Sequence, residues 1–150
     1  MSVHIIGGKR LPIADSNGKS DPYCVVRFQS NCFFFFFSTW WKTKNASYAG
    51  HVAYTTSTMY ADLNPKWNER FDLNIHTNIP KKLEFKVWDW NRWASNKLLG
   101  TATFLFDDFP QEELKEVFLT LVDEHGDTIL GSQIHLEISL YPISKGKNVE

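Results

Sequence analysis

The sequence predicts an all-β fold, an antiparallel eight-stranded β-sandwich, and three observations carry that prediction. Short runs rich in β-branched and aromatic residues recur along the chain; several alternate apolar and polar residues with period two; and Gly, Asn, Asp and Pro clusters separate most of them, with scarcely any helical pattern. With 150 residues the chain reads as one domain, long enough to bury a core without disulfides or a structural metal.

Val3 to Ile6 reads as the first strand, and Leu11-Pro12 ends it or marks an edge. Asp15 to Pro22 (DSNGKSDP) is a loop in which Asn17-Gly18 is the strongest turn signal and Asp21-Pro22 stops any helix. Tyr23 to Phe28 is a short, almost continuously apolar second strand, and Thr56 to Tyr60 is expected to be the third. Asp62 to Asn68 (DLNPKWN) is a turn cluster, with Trp67 read as a packing residue. Arg70 to Ile75 alternates Phe71, Leu73 and Ile75 as a half-buried strand does. Lys82 to Trp88 repeats the pattern with Leu83, Phe85 and Val87 inward and Lys82, Glu84 and Lys86 outward; Trp88 is expected to face the core. Leu98 to Phe106, Val117 to Val122 and Ile134 to Tyr141 complete the strands, with an acidic, helix-compatible linker around Asp107 to Lys115. The domain is read as 1–143, and 144–150 as a frayed tail.

Composition narrows the function. Net charge is −1, so the basic excess of a nucleic-acid binder is missing and no nucleic-acid partner is expected. Two cysteines, Cys24 and Cys32, are too few for a disulfide framework and lack zinc-site spacing; Cys24 sits in an apolar run and reads as a small core residue. The N-terminus MSVHIIGGKRLP lacks a long apolar stretch, which leads to the expectation of a cytoplasmic location. A Gly-x-Ser-x-Gly elbow, an HExxH pair and a phosphate loop are all missing from the sequence, and the acidic loops hold no His, so the reading is not an enzyme.

Chemistry concentrates instead in two loops. DSNGKSDP and Asp89 to Asn96 (DWNRWASN) each gather carboxylate or amide oxygens within a few positions, between strand-forming runs. Calcium takes about 6 to 8 such hard oxygens in a flexible geometry that loops can supply. If each strand reverses the last, connections one, three and five open at the same end, so both acid-bearing loops lie there with the Asp62 turn. Taken singly, Asp15 and Asp21 also read as turn formers, because Asp bonds its own backbone.

The runs GGKRLPIADSNGKSDPYCVV, NPKWNE and VWDWNRWASNKLLGTATF together resemble the C2 domain, a calcium- and phospholipid-binding Greek-key sandwich. The resemblance covers nearly the whole chain apart from one odd segment, and the order of elements looks like the circularly permuted variant called type II. It implies calcium ligands at Asp15, Asp21 and Asp89, with Asn91 and Asn96 at two further ligand positions and the backbone carbonyls of Ala14 and Trp90 as additional donors. At Asn91 and Asn96 the ligand and turn-former readings both stand, and Lys97 competes with Asn96 for the last match.

The departures from acid have a physical meaning. Three carboxylates supply about −3, and Asn keeps the oxygen without the charge, so affinity is expected to be weaker than in a five-Asp site. One calcium ion would leave the three acids near −1 and two would bring them to about +1, beside Arg92 and Lys97. The metal thus inverts the local field, and lipid phosphate or carboxylate oxygens can then complete its shell. Trp90, Arg92 and Trp93 are expected to contact the membrane, with the alternative that the two Trp rings cap the sandwich. The expected partner is an anionic or zwitterionic phospholipid surface reached on calcium binding, with Ca2+ as the cofactor in one or two ions. The competing reading is a calcium-independent protein-interaction module. Lys81, Lys82 and Lys86 form a short basic strand diluted by Glu84, read as solvated surface.

The odd segment is Ser30 to about Tyr54, with five consecutive Phe and then Trp40-Trp41 where a short connection is expected. It falls on an even connection, away from the acidic loops. Three readings compete: a second hydrophobic docking site, an extended hairpin covering a sheet face, or a sequence error in the form of retained intron, since a Phe run implies the T-rich codons of a pyrimidine tract.

Overall fold

The computed structural model describes residues 1–28, 51–73, 82–105 and 113–140. They form eight strands: β1 (Ser2–Lys9), β2 (Pro22–Phe28), β3 (His51–Thr55), β4 (Glu69–Asp72), β5 (Lys82–Asp89), β6 (Lys97–Leu105), β7 (Leu114–Val122) and β8 (Thr128–Ser139). Every pairing is antiparallel, in the order β3-β2-β5-β6-β7-β8-β1-β4. The all-β, antiparallel, eight-stranded expectation therefore holds.

The eight strands make one curved sheet that acts as two layers. Between β6 and β7 the ladder narrows to a single pair, Thr101 with Val122, so the four strands on either side can fold towards each other. The alternation in each strand then turns one set of side chains into a shared core. Val3 and Ile5 of β1, Val26 of β2, Leu83, Phe85 and Val87 of β5, Leu121 of β7 and Ile134, Leu136 and Ile138 of β8 are wholly buried. Each such side chain removes enough apolar surface from water to contribute about 1.5 to 3 kcal/mol.

The NPKWNE run explains how the third connection docks. Trp67 is buried in the core and its indole N–H points to the Pro22 carbonyl. The Gly8 N–H donates to the Pro65 carbonyl at 2.9 Å, and that oxygen comes so close to Gly7 that a Cβ there would lie 2.3 Å away. Only glycine leaves room for this approach.

Several boundaries differ from the sequence reading. The third strand is His51–Thr55, not Thr56 to Tyr60. The later residues leave the ladder because the backbone of Thr56, Met59 and Asp62 bonds singly to Cys24, Pro22 and Ser20, tracking the end of β2 as an irregular rim. Trp88 faces outward: the alternation of β5 continues unbroken, so Trp88 pairs across from Tyr23 and Leu98 while Asp89 takes the inward place. β4 stops at Asp72, β7 begins at Leu114 and β8 at Thr128, since hairpin pairing extends both β7 and β8 beyond their apolar stretches. The 30–50 part of the Phe-rich segment, most of the expected helix-compatible linker and the 144–150 tail lie outside the described residues, as do Ile75, Lys81, Phe106 and Tyr141.

Candidate functional site

Connection one, between β1 and β2, is a braced loop. Gly18 adopts φ 77° and donates to the Asp15 carbonyl, Lys19 N–H donates to Asn17 Oδ1, and Ala14 and Asp15 N–H both donate to the Lys19 carbonyl. The buried Ser20 hydroxyl donates to the Pro12 carbonyl at 2.7 Å and accepts from Ala14 N–H at 2.9 Å. The Asn17-Gly18 turn is thus where the sequence placed it.

Connections one, three and five meet at one end, as strand parity required. Asp21 N–H donates to Asp89 Oδ1 at 2.7 Å, Asp21 Oδ1 accepts from Ala61 N–H at 2.7 Å, and Trp90 N–H donates to the Asp21 carbonyl at 2.9 Å. Asp21 therefore ties all three loops. Ala61 presents its N–H from the left-handed region, at φ 52°, which costs a non-glycine residue about 1 to 2 kcal/mol.

Asp89 is the buried centre, with no exposed surface. Its second oxygen accepts from Asn91 Nδ2 at 3.0 Å, Asn91 N–H donates to Asn96 Oδ1 at 2.9 Å, and Asn96 Nδ2 donates to the Tyr23 hydroxyl at 2.9 Å. Asn91 and Asn96 thus clasp the fifth connection. Asp15 faces the same centre: burial, then the charges of Asp89 and Asp21, push its carboxyl above the usual carboxylate range. Among the described residues none of the three acids forms an ion pair with a cation.

The donors are hard oxygens with uncompensated negative charge, and that chemistry fits calcium. As they stand, however, no three His, Cys, Asp or Glu side chains among the described residues gather closely enough to hold a metal ion. Asp21 Oδ1 and both oxygens of Asp89 receive N–H donors.

An apolar rim surrounds these acids. Trp93 is 88% exposed with the Arg92 guanidinium 5.0 Å from its ring centre, whereas Trp90 is half-buried and meets the Tyr60 ring edge-on at 5.9 Å. Sequence reasoning singled out the two Trp but missed Ile13, 58% exposed, and Tyr60, 68% exposed, on connections one and three. Their position in turn-rich loops next to the acids was the available signal. On the outer face of β2 and β5, Arg27 lies opposite Glu84 beside Lys86, adding a cation the sequence reading did not count.

No helix among the described residues is long and apolar enough to cross a membrane. The family model described as C2 domain matches residues 1–121. Multiple C2 and transmembrane domain-containing protein 1 of Rattus norvegicus is 31% identical over 140 residues, 93% of this chain and 12% of that protein. Synaptotagmin-4 of Arabidopsis thaliana is 28% identical over 97% of this chain, which spans 23% of that protein. The chain therefore spans a quarter or less of these curated relatives. Among solved structures, a single C2 domain of plant Extended Synaptotagmin 1 superposes with TM-score 0.70 at 20% identity, covering 96% of this chain and 95% of that one. The calcium-bound pair of C2 domains of Extended-Synaptotagmin 2 superposes with TM-score 0.63 at 22% identity, over 91% of this chain and 43% of that one. The family match runs from β1 into β7 and takes in the three converging loops: the chain belongs to the C2 domain family of membrane-binding modules.

Proposed function

We propose that this domain binds phospholipid membranes in a calcium-dependent way through connections one, three and five, as a targeting module with no catalysis of its own. The observation that carries the reading is the meeting of Asp15, Asp21 and Asp89 at one end without a cationic partner among the described residues, within a rim of exposed Ile13, Tyr60 and Trp93. Asp15, Asp21 and Asp89 would hold the ion, with the Asn91 amide presenting Oδ1 in place of Nδ2 and with Asn96 and the Ala14 and Trp90 carbonyls as further donors. Bound calcium would neutralise the acids and offer open coordination sites to lipid oxygens. The rim residues then enter the headgroup boundary, with Arg92 at phosphate level.

Sedimentation with phosphatidylserine or phosphatidylcholine vesicles, in calcium and in chelator, tests this against Asp15→Asn/Asp89→Asn. Calcium-dependent pelleting that the double variant loses is the expected result. Pelleting that ignores calcium in a folded protein would reduce the acids to turn residues.

One observation favours a second reading, a calcium-independent interaction module: Asn91, Asn96 and Tyr23 clasp the fifth connection through hydrogen bonds of their own. A melting temperature that calcium leaves unchanged would favour it.

A further inference from the structure

The β7–β8 hairpin is connection seven, so parity brings it to the same end as connections one, three and five. It carries a feature that the acidic site does not use. Thr120 pairs with Gln133 and the next pair is Val122 with Thr128, so β8 spends more residues than β7 across this step and 129–132 bulge out. Ile129 turns inward, its Cδ1 3.0 Å from where a Cβ on Gly100 would sit. Leu130 turns outward and is 95% exposed, the most exposed large apolar side chain among the described residues. Gly131, at φ 78°, makes the bend, and the buried Ser132 hydroxyl donates to the Arg10 carbonyl, fastening the bulge to the start of connection one.

Cations stand beside this leucine. The Arg10 side chain lies along the bulge, 3.3 Å from a Cβ built on Gly131, and exposed Lys9 pairs with Gln133 at the foot of it. Neither is ion-paired among the described residues.

We infer that the 129–132 bulge is a second, metal-free membrane contact, in which Leu130 enters an anionic phospholipid bilayer while Lys9 and Arg10 meet the net negative headgroups of its anionic lipids. This rests on the membrane reading above. A bilayer is the occupant that the arrangement favours because it can meet apolar tips from three connections, Ile13, Tyr60 and Trp93, together with Leu130 from the β8 bulge beside the fourth. An apolar side chain flanked by free cations also matches an interface that is apolar below and anionic above. The bulge is fixed by backbone and hydroxyl contacts, so little ordering cost attends insertion.

The test measures binding of the whole chain to mixed phosphatidylserine/phosphatidylcholine vesicles and to pure phosphatidylcholine vesicles, each in calcium and in chelator. It compares wild type, Leu130→Asn, Lys9→Gln/Arg10→Gln and, as control, Leu105→Asn, which is 66% exposed at the opposite end of β6. Leu130→Asn should weaken binding about tenfold, the scale of burying a leucine side chain. The Lys9/Arg10 variant should weaken binding to phosphatidylserine-containing vesicles and not to pure phosphatidylcholine. Leu105→Asn should match wild type. Binding by Leu130→Asn within about twofold of wild type would overturn the inference and leave the bulge for a protein partner, and an equal loss in Leu105→Asn would overturn it as well. Wild type that fails to bind vesicles in either calcium or chelator would instead overturn the membrane reading itself, and this inference with it.

Discussion

The Tyr54 hydroxyl donates to Glu69 Oε2 at 2.8 Å, joining β3 to β4, the two strands at opposite ends of the sheet order. Glu69 Oε1 also accepts from Ser57 N–H at 2.9 Å, and the Tyr54 ring stacks on Phe71 at 4.7 Å between centroids. The two edges are thus held across the open side of the fold by side chains and not by a backbone ladder.

Removing that latch should be measurable. Tyr54→Phe keeps the ring stack and removes the hydroxyl, so it should cost about 1.5 to 3 kcal/mol, the range for a hydrogen bond to a charged group. Urea unfolding of Tyr54→Phe, Glu69→Gln and the double variant gives the coupling; strict additivity would show that the latch contributes nothing.

The same carboxylate predicts part of the acid response. Burial acts to raise the Glu69 pKa, but the hydrogen bonds from Ser57 and Tyr54 outweigh it and hold the group below the ordinary value. A depressed carboxylate stabilises the fold above its unfolded pKa, and that stability is lost as pH falls through the folded pKa. Glu69→Gln should therefore show a flatter decline in stability from neutral to acid pH than wild type, read from urea midpoints across that window.

At the acidic end the sign reverses for Asp15, whose pKa is raised by burial and by Asp89 and Asp21. Its ionised form is disfavoured in the folded state, so it favours folding at acid pH and loses that contribution as pH rises through the raised value. Asp15→Asn should raise the metal-free melting temperature at neutral pH and remove most of the upward shift that calcium gives wild type. A metal-free melting temperature lowered by this substitution would refute the like-charge account.

Asn91→Asp separates the clasp from the ligand role. It replaces the 3.0 Å donor contact to Asp89 with a fourth negative charge. The metal-free protein should melt lower, while calcium should bind tighter by about tenfold or more, since ligand charge sets affinity in oxygen sites. Isothermal titration checks the second part; unchanged affinity would place Asn91 outside the ion's shell.

Gly7→Ala tests the docking of the third connection. The added methyl would lie 2.3 Å from the Pro65 carbonyl oxygen, so backbone must move. A loss of about 1 to 3 kcal/mol is expected, on the scale of overpacking, with the three converging loops loosened as well. Hydrogen exchange at Gly8 and Asn68, whose N–H groups donate to the Pro65 and Ile6 carbonyls, reports it directly.

Much of this molecule is determined by sequence alone. Period-two alternation fixes which side of β5 is buried, the Asn17-Gly18 turn fixes the tip of connection one, and the parity of antiparallel strands brings the loops of Asp15, Asp21 and Asp89 to one end. These are local or counting properties, and neighbouring residues carry them. What only the tertiary structure decided depends on partners far apart in sequence. His51–Thr55 became a strand because β2 offered a free edge, not because of its own pattern. The outward place of Trp88 is not among these, since the alternation through Leu83, Phe85 and Val87 already turns it from the core. Ile13, Tyr60 and Trp93 form an apolar rim only once connections one, three and five share an end, and the Asp89 oxygens meet their Asp21 and Asn91 donors only when the loops close. Burial and hydrogen-bond partnership are relations between distant segments, so the folded chain alone sets them.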